Sequence, residues 1–366
     1  MDRKIKVLHI IGALNLGGAE TMIVNIFKTI DRSKYQFDFY LCGNSNGYYE
    51  NTVRALGGRI YNVGRRSKHP IKYCKELTKL IKKEKYDCIQ IHATNSLDGI
   101  PAMVTKLGGA KKVCMFSHCT GGIDIRKQKV MRTMFNAFID EKQACSELAA
   151  EWMYGKKASQ ASIIHLPIDC KICRYDENFA IAEKNKYGLR NKKVLGHIGR
   201  FFPQKNHIRL LEIFAELLTL DDSWRLVLIG GGPLKQRAQE TVRKWGIEDK
   251  VLFLGEFSPA SPELSMFDVM ILPSLYEGFP TVLLEAQANG LPCIASSAIT
   301  NSIALTDLVS FVNLEDSNEE WARRINTVEL KRVKTDDYNT VISRQYDIEK
   351  VTQEFMRIYS GNGEDR

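Results

Sequence analysis

The residues with the clearest chemical potential lie where strand-like runs give way to helical ones. After the apolar run 194–198 comes Gly199-Arg200-Phe201-Phe202-Pro203-Gln204-Lys205-Asn206-His207, leading into a helical pattern. In an open α/β sheet, ligands bind at such carboxyl ends of strands. Arg200 and Lys205 beside a helix N-terminus make either an anion clamp suited to a diphosphate or two solvated surface cations. Further on, Glu277-Gly278-Phe279-Pro280 precedes Thr281-Val282-Leu283-Leu284-Glu285, so two carboxylates stand eight residues apart. With Glu277 in a loop and Glu285 in the helix that follows, both can turn into one cleft and accept hydrogen bonds from sugar or ribose hydroxyls. The other reading is a capped helix with one buried and one exposed glutamate. Gly278 permits close backbone approach.

The first half offers two weaker signals. Gly17-Gly18 follows the strand-like run 5–14 and precedes a helical pattern. It is either a place where backbone N–H groups meet an anion or a tight strand-to-helix turn. His118 ends the run 113–117, where an imidazole can donate to a substrate oxygen or phosphate, or be structural. His9, His92, His165 and His197 sit in apolar runs and read as structural. No Asp-x-Asp occurs, which would hold a metal against a diphosphate, so no metal and no cofactor is expected. The one CxxC, Cys170-Lys171-Ile172-Cys173, has no second half-site, and Cys114, His118 and Cys119 fit no common zinc spacing.

These residues need elements to hold them. A chain of 366 residues is too long for one ordinary core and suits two. With 44% hydrophobic and 26% charged residues it is neither disordered, collagen-like nor a coiled coil. Strand-like runs at 37–42, 88–92 and 113–117 alternate with helical patterns at 48–56 and 71–85. The second half repeats the rhythm, with strands at 194–198, 226–229, 251–254, 269–272, 293–295 and 311–312 around helices at 208–220, 234–245 and 281–288. Alternation of this kind predicts βαβ units and two doubly wound parallel sheets, an α/β fold. The polar stretch 170–193 is the expected boundary. It separates a first domain of residues 1–175 from a second of 190–345, with a tail helix over 346–361 docking back on the first.

Together these segments resemble the retaining GT-B-fold glycosyltransferases of family four, of the bacterial capsule and exopolysaccharide type. The likeness spans nearly the whole chain and is strongest over 194–314. It rests on Gly199-Arg200 with Lys205-Asn206, on Leu228-Ile229-Gly230-Gly231-Gly232-Pro233, on Asp268 to Ser274, and on the Glu-x7-Glu pair from Glu277 to Glu285. In the first half, Gly17-Gly18-Ala19-Glu20 matches the family's glycine turn. The resemblance implies two Rossmann-like domains facing a central cleft, with the donor bound mostly to the second and the acceptor to the first. It implies that Arg200 and Lys205 bind the donor diphosphate and Glu285 the ribose. Glu277 and the backbone of Gly278, Phe279 and Pro280 would hold the sugar. Gly17 and Gly18 would touch the phosphate or acceptor side, and His118 the sugar. The stretch 298–303 departs from the family, lacking its glycines and glutamate.

The implied reaction is metal-independent hexosyl transfer from a nucleotide sugar, UDP-linked by expectation, to a lipid-linked glycan. The alternatives are a GT-B-fold nucleotide-sugar epimerase and a catalytically silent partner of another transferase. Charge adds a location. Residues 1–190 carry 32 Lys and Arg against 18 Asp and Glu, while residues 191–366 carry 20 against 25. With no run of 18 apolar residues, no signal-peptide pattern and nine scattered cysteines, the expectation is a cytoplasmic protein. Its basic first half would dock on the anionic inner face of the membrane, and no nucleic-acid reader motif is present. The segment Arg126-Lys127-Gln128-Lys129-Val130-Met131-Arg132-Thr133-Met134-Phe135 mixes cations with apolar residues at near-helical spacing. It reads as an interfacial helix, or as a solvated face over core residues.

Overall fold

The computed structural model describes residues 3–43, 46–118, 125–257, 259, 261–330, 332 and 335–361. Cys119, weighed above as a zinc ligand, lies outside them. The chain divides into two compact units, residues 1–167 with 348–366 and residues 168–347.

In chain order the first unit contains β1 (Ile5–Ile11), α1 (Gly18–Thr29), β2 (Tyr35–Leu41), α2 (Glu50–Ala55), β3 (Arg59–Asn62), α3 (Pro70–Glu84) and β4 (Cys88–Ala93). It continues with α4 (Gly99–Leu107), β5 (Lys112–Ser117), α5 (Ile125–Phe135), β6 (Glu141–Ala144), α6 (Glu147–Tyr154) and β7 (Ser162–Ile163). The second unit contains α7 (Glu177–Lys186), β8 (Lys193–Ile198), α8 (His207–Leu220), β9 (Trp224–Ile229), α9 (Lys235–Lys244) and β10 (Val251–Gly255). After these come β11 (Val269–Leu272), α10 (Thr281–Ala288), β12 (Cys293–Ser296), β13 (Val309–Val312), α11 (Asn318–Thr327) and α12 (Thr335–Tyr346). The last helix, α13 (Ile348–Ser360), returns to the first unit.

Both sheets are parallel, in the orders β3-β2-β1-β4-β5-β6-β7 and β10-β9-β8-β11-β12-β13. A parallel sheet is covered on both faces, which is why its strands read as continuous apolar runs. On β1, Val7 and Ile11 join a core with Phe37, Phe39 and Phe116, while Leu8 and Ile10 join another with Tyr40, Tyr73 and Met115. The period of two places His9 on the first of these faces. That face is covered by α1 and α13, which pack on each other.

Where the chain crosses between units, the backbone N–H of Ile168 donates to the Tyr346 carbonyl at 2.8 Å, and Ile168 bridges to Asp347. The stretch 170–193, expected to hold the boundary, lies within the second unit, which begins at Ile168. Its Cys170, Cys173 and Leu189 are buried with Leu264 and Phe267, and Asp176 caps α7 by accepting from the Phe179 N–H at 2.9 Å. Its polar composition goes with exposure, since of α7 only Ala180 is buried. Asn289 Nδ2, donating to the Cys173 carbonyl at 2.8 Å, ties this chain segment to the core.

Phe355 of α13 is fully buried and stacks on Phe116 at a ring-centroid distance of 6.0 Å. Phe355→Ala is expected to destabilise the first unit by about 3–5 kcal/mol. Hydrogen exchange should then quicken across β1 and β2, with β8 to β13 unaffected. Equal loss in both sheets, or none, would refute the assignment of α13 to the first core.

Candidate functional site

In the second sheet the strand order reverses between β8 and β11, so the loops leaving these neighbours diverge and open a crevice at their carboxyl ends. The loop after β8 carries Arg200 and Lys205, and the loop after β11 carries Glu277. The two are joined directly. Lys205 Nζ meets Glu277 Oε1 at 2.5 Å, with 17% and 8% of the two side chains exposed. Gln204 Nε2 donates to Glu277 Oε2 at 3.1 Å and to the Tyr276 carbonyl at 2.9 Å. Leu275 N–H donates to the Gln204 carbonyl at 2.9 Å, and Asn206 Nδ2 to the Pro273 carbonyl at 3.2 Å. An ammonium has three donors, so Lys205 can hold Glu277 and still address an anion.

The backbone around this pair is fitted closely. Asn206, just before α8, is left-handed at φ 56°. A Cβ on Gly199 would stand 2.8 Å from His197 Nε2 and 3.3 Å from Lys205 Cδ. His197 Nδ1 donates to the Ile271 carbonyl at 2.8 Å, which leaves Nε2 as a buried lone pair on the Lys205 side. From β9 the turn Gly230-Gly231-Gly232 crosses over, and a Cβ on Gly230 (φ 148°) would collide with the Gly199 carbonyl oxygen. Arg200 is exposed and lies over the Phe202 ring at 5.0 Å.

Beyond Glu277 the other expected residues separate by role. Gly278 is exposed, has no positive φ, and a Cβ there would meet no heavy atom within 4 Å. Neither packing nor backbone conformation demands a glycine at this position. Phe279 stacks on Tyr346 at 5.7 Å and 13°, so its ring serves the core, and Pro280 is buried at the start of α10. Glu285 stands one turn into α10 beside Ser261, whose hydroxyl hydrogen-bonds it. Burial nevertheless pushes its carboxyl up to about 7. Among the described residues no bond links Glu277 to Glu285; each carboxylate has its own partners.

In the first unit, Gly17 caps α1 without a side-chain bond, and a Cβ there would collide with the Glu20 carboxylate. Gly18, the first residue of α1, has open space on its Cα. His118 follows β5 with its backbone N–H bonded to the Ala93 carbonyl at 2.9 Å. Its ring does not stand alone. His118 Nε2 meets His92 Nδ1 at 3.0 Å, and His92 Nε2 meets His9 Nδ1 at 3.2 Å. Burial lowers the basicity of all three rings, that of His92 to about 3. From the sequence His9 and His92 read as structural, with nothing to link them to His118. Strand alternation puts each on the same sheet face, but their adjacency needs the order β1-β4-β5, which spacing does not reveal.

Elsewhere, a cavity of about 620 Å³ lies at the amino ends of β12 and β13, lined in part by Cys293, Asp307, Arg332 and Tyr338. Its Arg332 is already spent on the carbonyls of Leu264 and Phe267 and on Asn289. It reads as packing rather than chemistry.

Glu285 makes stability depend on pH. The unfolded carboxyl titrates near 4.5 and the folded one near 7. The folded state therefore binds more protons between these values, and stability falls as pH rises through that window. Above it the native carboxylate costs roughly 3 kcal/mol. Glu285→Gln should melt higher than the parent at pH 8, with the gain largely gone by pH 5. A pH-independent difference, or a loss at pH 8, would contradict this.

Comparison with known proteins agrees with both units. Residues 16–171 match the family model described as Glycosyltransferase Family 4, and residues 180–344 match Glycosyl transferases group 1. EpsF of Bacillus subtilis, named as a glycosyltransferase, is 33% identical over 333 residues, covering 87% of this chain and 86% of that one. The Escherichia coli UDP-Gal:alpha-D-GlcNAc-diphosphoundecaprenol alpha-1,3-galactosyltransferase is 27% identical over 85% of this chain and 87% of its own. Among solved structures, HepE of Anabaena in complex with UDP superposes with a TM-score of 0.80 at 17% identity, over 97% of this chain and all of that one. The two doubly wound sheets are those of the GT-B fold. On a shared third of positions along most of both chains, and a family match in each unit, this protein belongs to the glycosyltransferases of group 1 and family 4.

Proposed function

We propose that this glycosyltransferase moves a hexosyl group from a nucleotide sugar, UDP-linked, to a lipid-linked glycan in cell-surface polysaccharide assembly, with retention and without a metal. The observation that carries the reading is the Lys205–Glu277 pair at the switch point of the second sheet. Cleavage of a sugar–phosphate bond leaves negative charge on the diphosphate and positive charge on the sugar carbon. Lys205 and exposed Arg200 receive the first, and the backbone of Gly278, Phe279 and Pro280 holds the sugar. Glu277, held by Lys205 and Gln204, accepts from sugar hydroxyls near the second. Preorganised donors aimed at developing charge are worth about 2.7–4 kcal/mol each in comparable sites. Glu285 accepts from the ribose, a task for which its ionised form is the better acceptor. In the first unit, Gly17-Gly18 meets the phosphate or acceptor side and His118 the sugar. The reported relatives are named as transferases, which favours transfer over epimerisation. The name of the E. coli relative supports a diphosphoundecaprenol-linked acceptor.

The ion pair changes what a substitution reports. Lys205→Ala removes a phosphate contact but also strands a largely buried carboxylate, a cost of order 3–5 kcal/mol for buried pairs. Lys205→Met with Glu277→Gln should recover most of that stability yet remain about 100-fold or more slower in transfer from the preferred nucleotide sugar, assayed in EDTA. Glu277→Gln alone should keep affinity for the free nucleotide, while Glu285→Gln loses it. Full turnover in the double variant, identical nucleotide affinities in the two glutamine variants, or a requirement for added magnesium would overturn these roles.

Membrane docking is also proposed, on the face of α5. Val130 is 71% exposed and Met134 53%, beside exposed Arg126, Lys127 and Lys129, whereas Gln128 and Phe135 are buried. Each cation near an anionic leaflet contributes about 1 kcal/mol within a Debye length. The protein should cosediment with anionic vesicles at low salt, and Val130→Asp with Met134→Asp should weaken this about tenfold or more. Binding that ignores lipid charge and salt would refute it.

A further inference from the structure

The three-histidine row has a proton count that constrains His118. Its rings come from β1, from β4 and from the loop after β5, and all point to the sheet face covered by α1 and α13. They are near-parallel, with interplanar angles of 26° and 25°. Burial keeps each ring neutral, so three rings share three N–H groups. Each of the two contacts needs one proton between the nitrogens. The third proton must therefore sit at one end of the row, on His9 Nε2 or on His118 Nδ1.

The ends are unlike. His9 Nε2 is fully buried and unpartnered, among the rings of Phe37, Phe39 and Tyr359. His118 is half-buried at the carboxyl end of β5, the end of a doubly wound sheet where ligands arrive. Orphaned buried N–H groups are rarer than under-used acceptors. The lone pair belongs at the buried end and the proton at the open one.

We infer that His9 and His92 are positioning residues that hold His118 in the tautomer protonated at Nδ1, so that it presents a hydrogen-bond donor to an oxygen of the nucleotide sugar. His9 Nδ1 donates to His92 Nε2, and His92 Nδ1 donates to His118 Nε2. The ring of His118 is then fixed in rotation and in tautomer by two residues that never meet the substrate. This rests on the proposed transfer reaction only for the identity of the ligand.

The test is a two-bond proton–nitrogen correlation spectrum of the full chain, labelled with nitrogen-15 at histidine. Nδ1 should carry the proton and Nε2 the lone pair in all three rings at neutral pH. A proton on Nε2 of His118, or an averaged signal, overturns the inference. His92→Phe keeps a ring but removes both hydrogen bonds. It should average the His118 signal and lower kcat about five- to tenfold, the value of one neutral hydrogen bond, with nucleotide Kd unchanged. If that variant does not fold, His9→Phe breaks only the inner bond and should give the same averaging. An unaltered His118 spectrum in the variant that folds, or an averaged spectrum with unaltered kcat, refutes the positioning role. Failure of the chain to transfer sugar from any nucleotide sugar would sink the transfer reading, while the parent spectrum still decides the tautomer.

Discussion

The second unit turns on the contact between Lys205 and Glu277, because its topology creates a gap that something must span. Where β8 and β11 lie side by side, their following connections run in opposite directions, and no backbone ladder continues past the strand ends. The ion pair, with Gln204 bonded to the same carboxylate, stitches the loops together at that point. The backbone bond from Leu275 to Gln204 and the Asn206 amide on Pro273 complete the seam. The crowding of Gly199 against His197, and of Gly230 against Gly199, follows from bringing three strand ends this close. Two largely buried charges are an expensive way to hold loops, since apolar packing often does so at lower cost. Keeping them makes sense where a charged ligand must later be met without rearrangement.

The first unit solves its interior differently. Its row of three histidines is uncharged, and burial rather than pairing sets the protonation. Nearby, Gln90 donates to Gln143 across β4 and β6 at 3.0 Å, another neutral polar bond inside an apolar face. Cations line the outside of this unit along α3 and α5, and the buried carboxylate of Asp38 is paired with Arg59. One unit thus places ionised groups at its strand ends, and the other places neutral donors there and cations on its surface.

Much of this was legible because parallel strands buried on both faces announce themselves. The runs expected at 269–272 and 281–288 coincide with β11 and α10. What escaped was polar. β6 is Glu141-Lys142-Gln143-Ala144, with no apolar run, yet Lys142 and Gln143 are buried and Gln143 Oε1 accepts from Gln90. β3, Arg59-Ile60-Tyr61-Asn62, is a half-exposed edge strand held by Arg59 on buried Asp38. Most candidate site residues are legible one by one from their places at strand ends. Their partnerships, Lys205 with Glu277 across 72 positions and His9 with His92 across 83, depend on strand order, which periodicity does not encode.

The charge balance at the switch point gives these partnerships a common sense. Before any ligand, Lys205 is neutralised by Glu277, so among the described residues exposed Arg200 is the cation of this trio with no carboxylate partner. A half-buried Glu285, its carboxyl pushed up to about 7, adds little negative charge to the same unit under mildly acidic conditions. This trio therefore carries a net charge of one cation, which suits the proposed diphosphate without stranding a bare ammonium in a low-dielectric site. In the donor complex we propose, the ammonium of Lys205 uses a second donor for phosphate and keeps the first on Glu277. The carboxylate then stays in place while its negative charge is partly offset. Such a group can accept from sugar hydroxyls yet not repel the departing phosphate as strongly as a free carboxylate would. Replacing Lys205 by a neutral residue would disturb both ends of that balance, the anion held and the carboxylate aimed. The pair is for that reason better regarded as one functional group than as two.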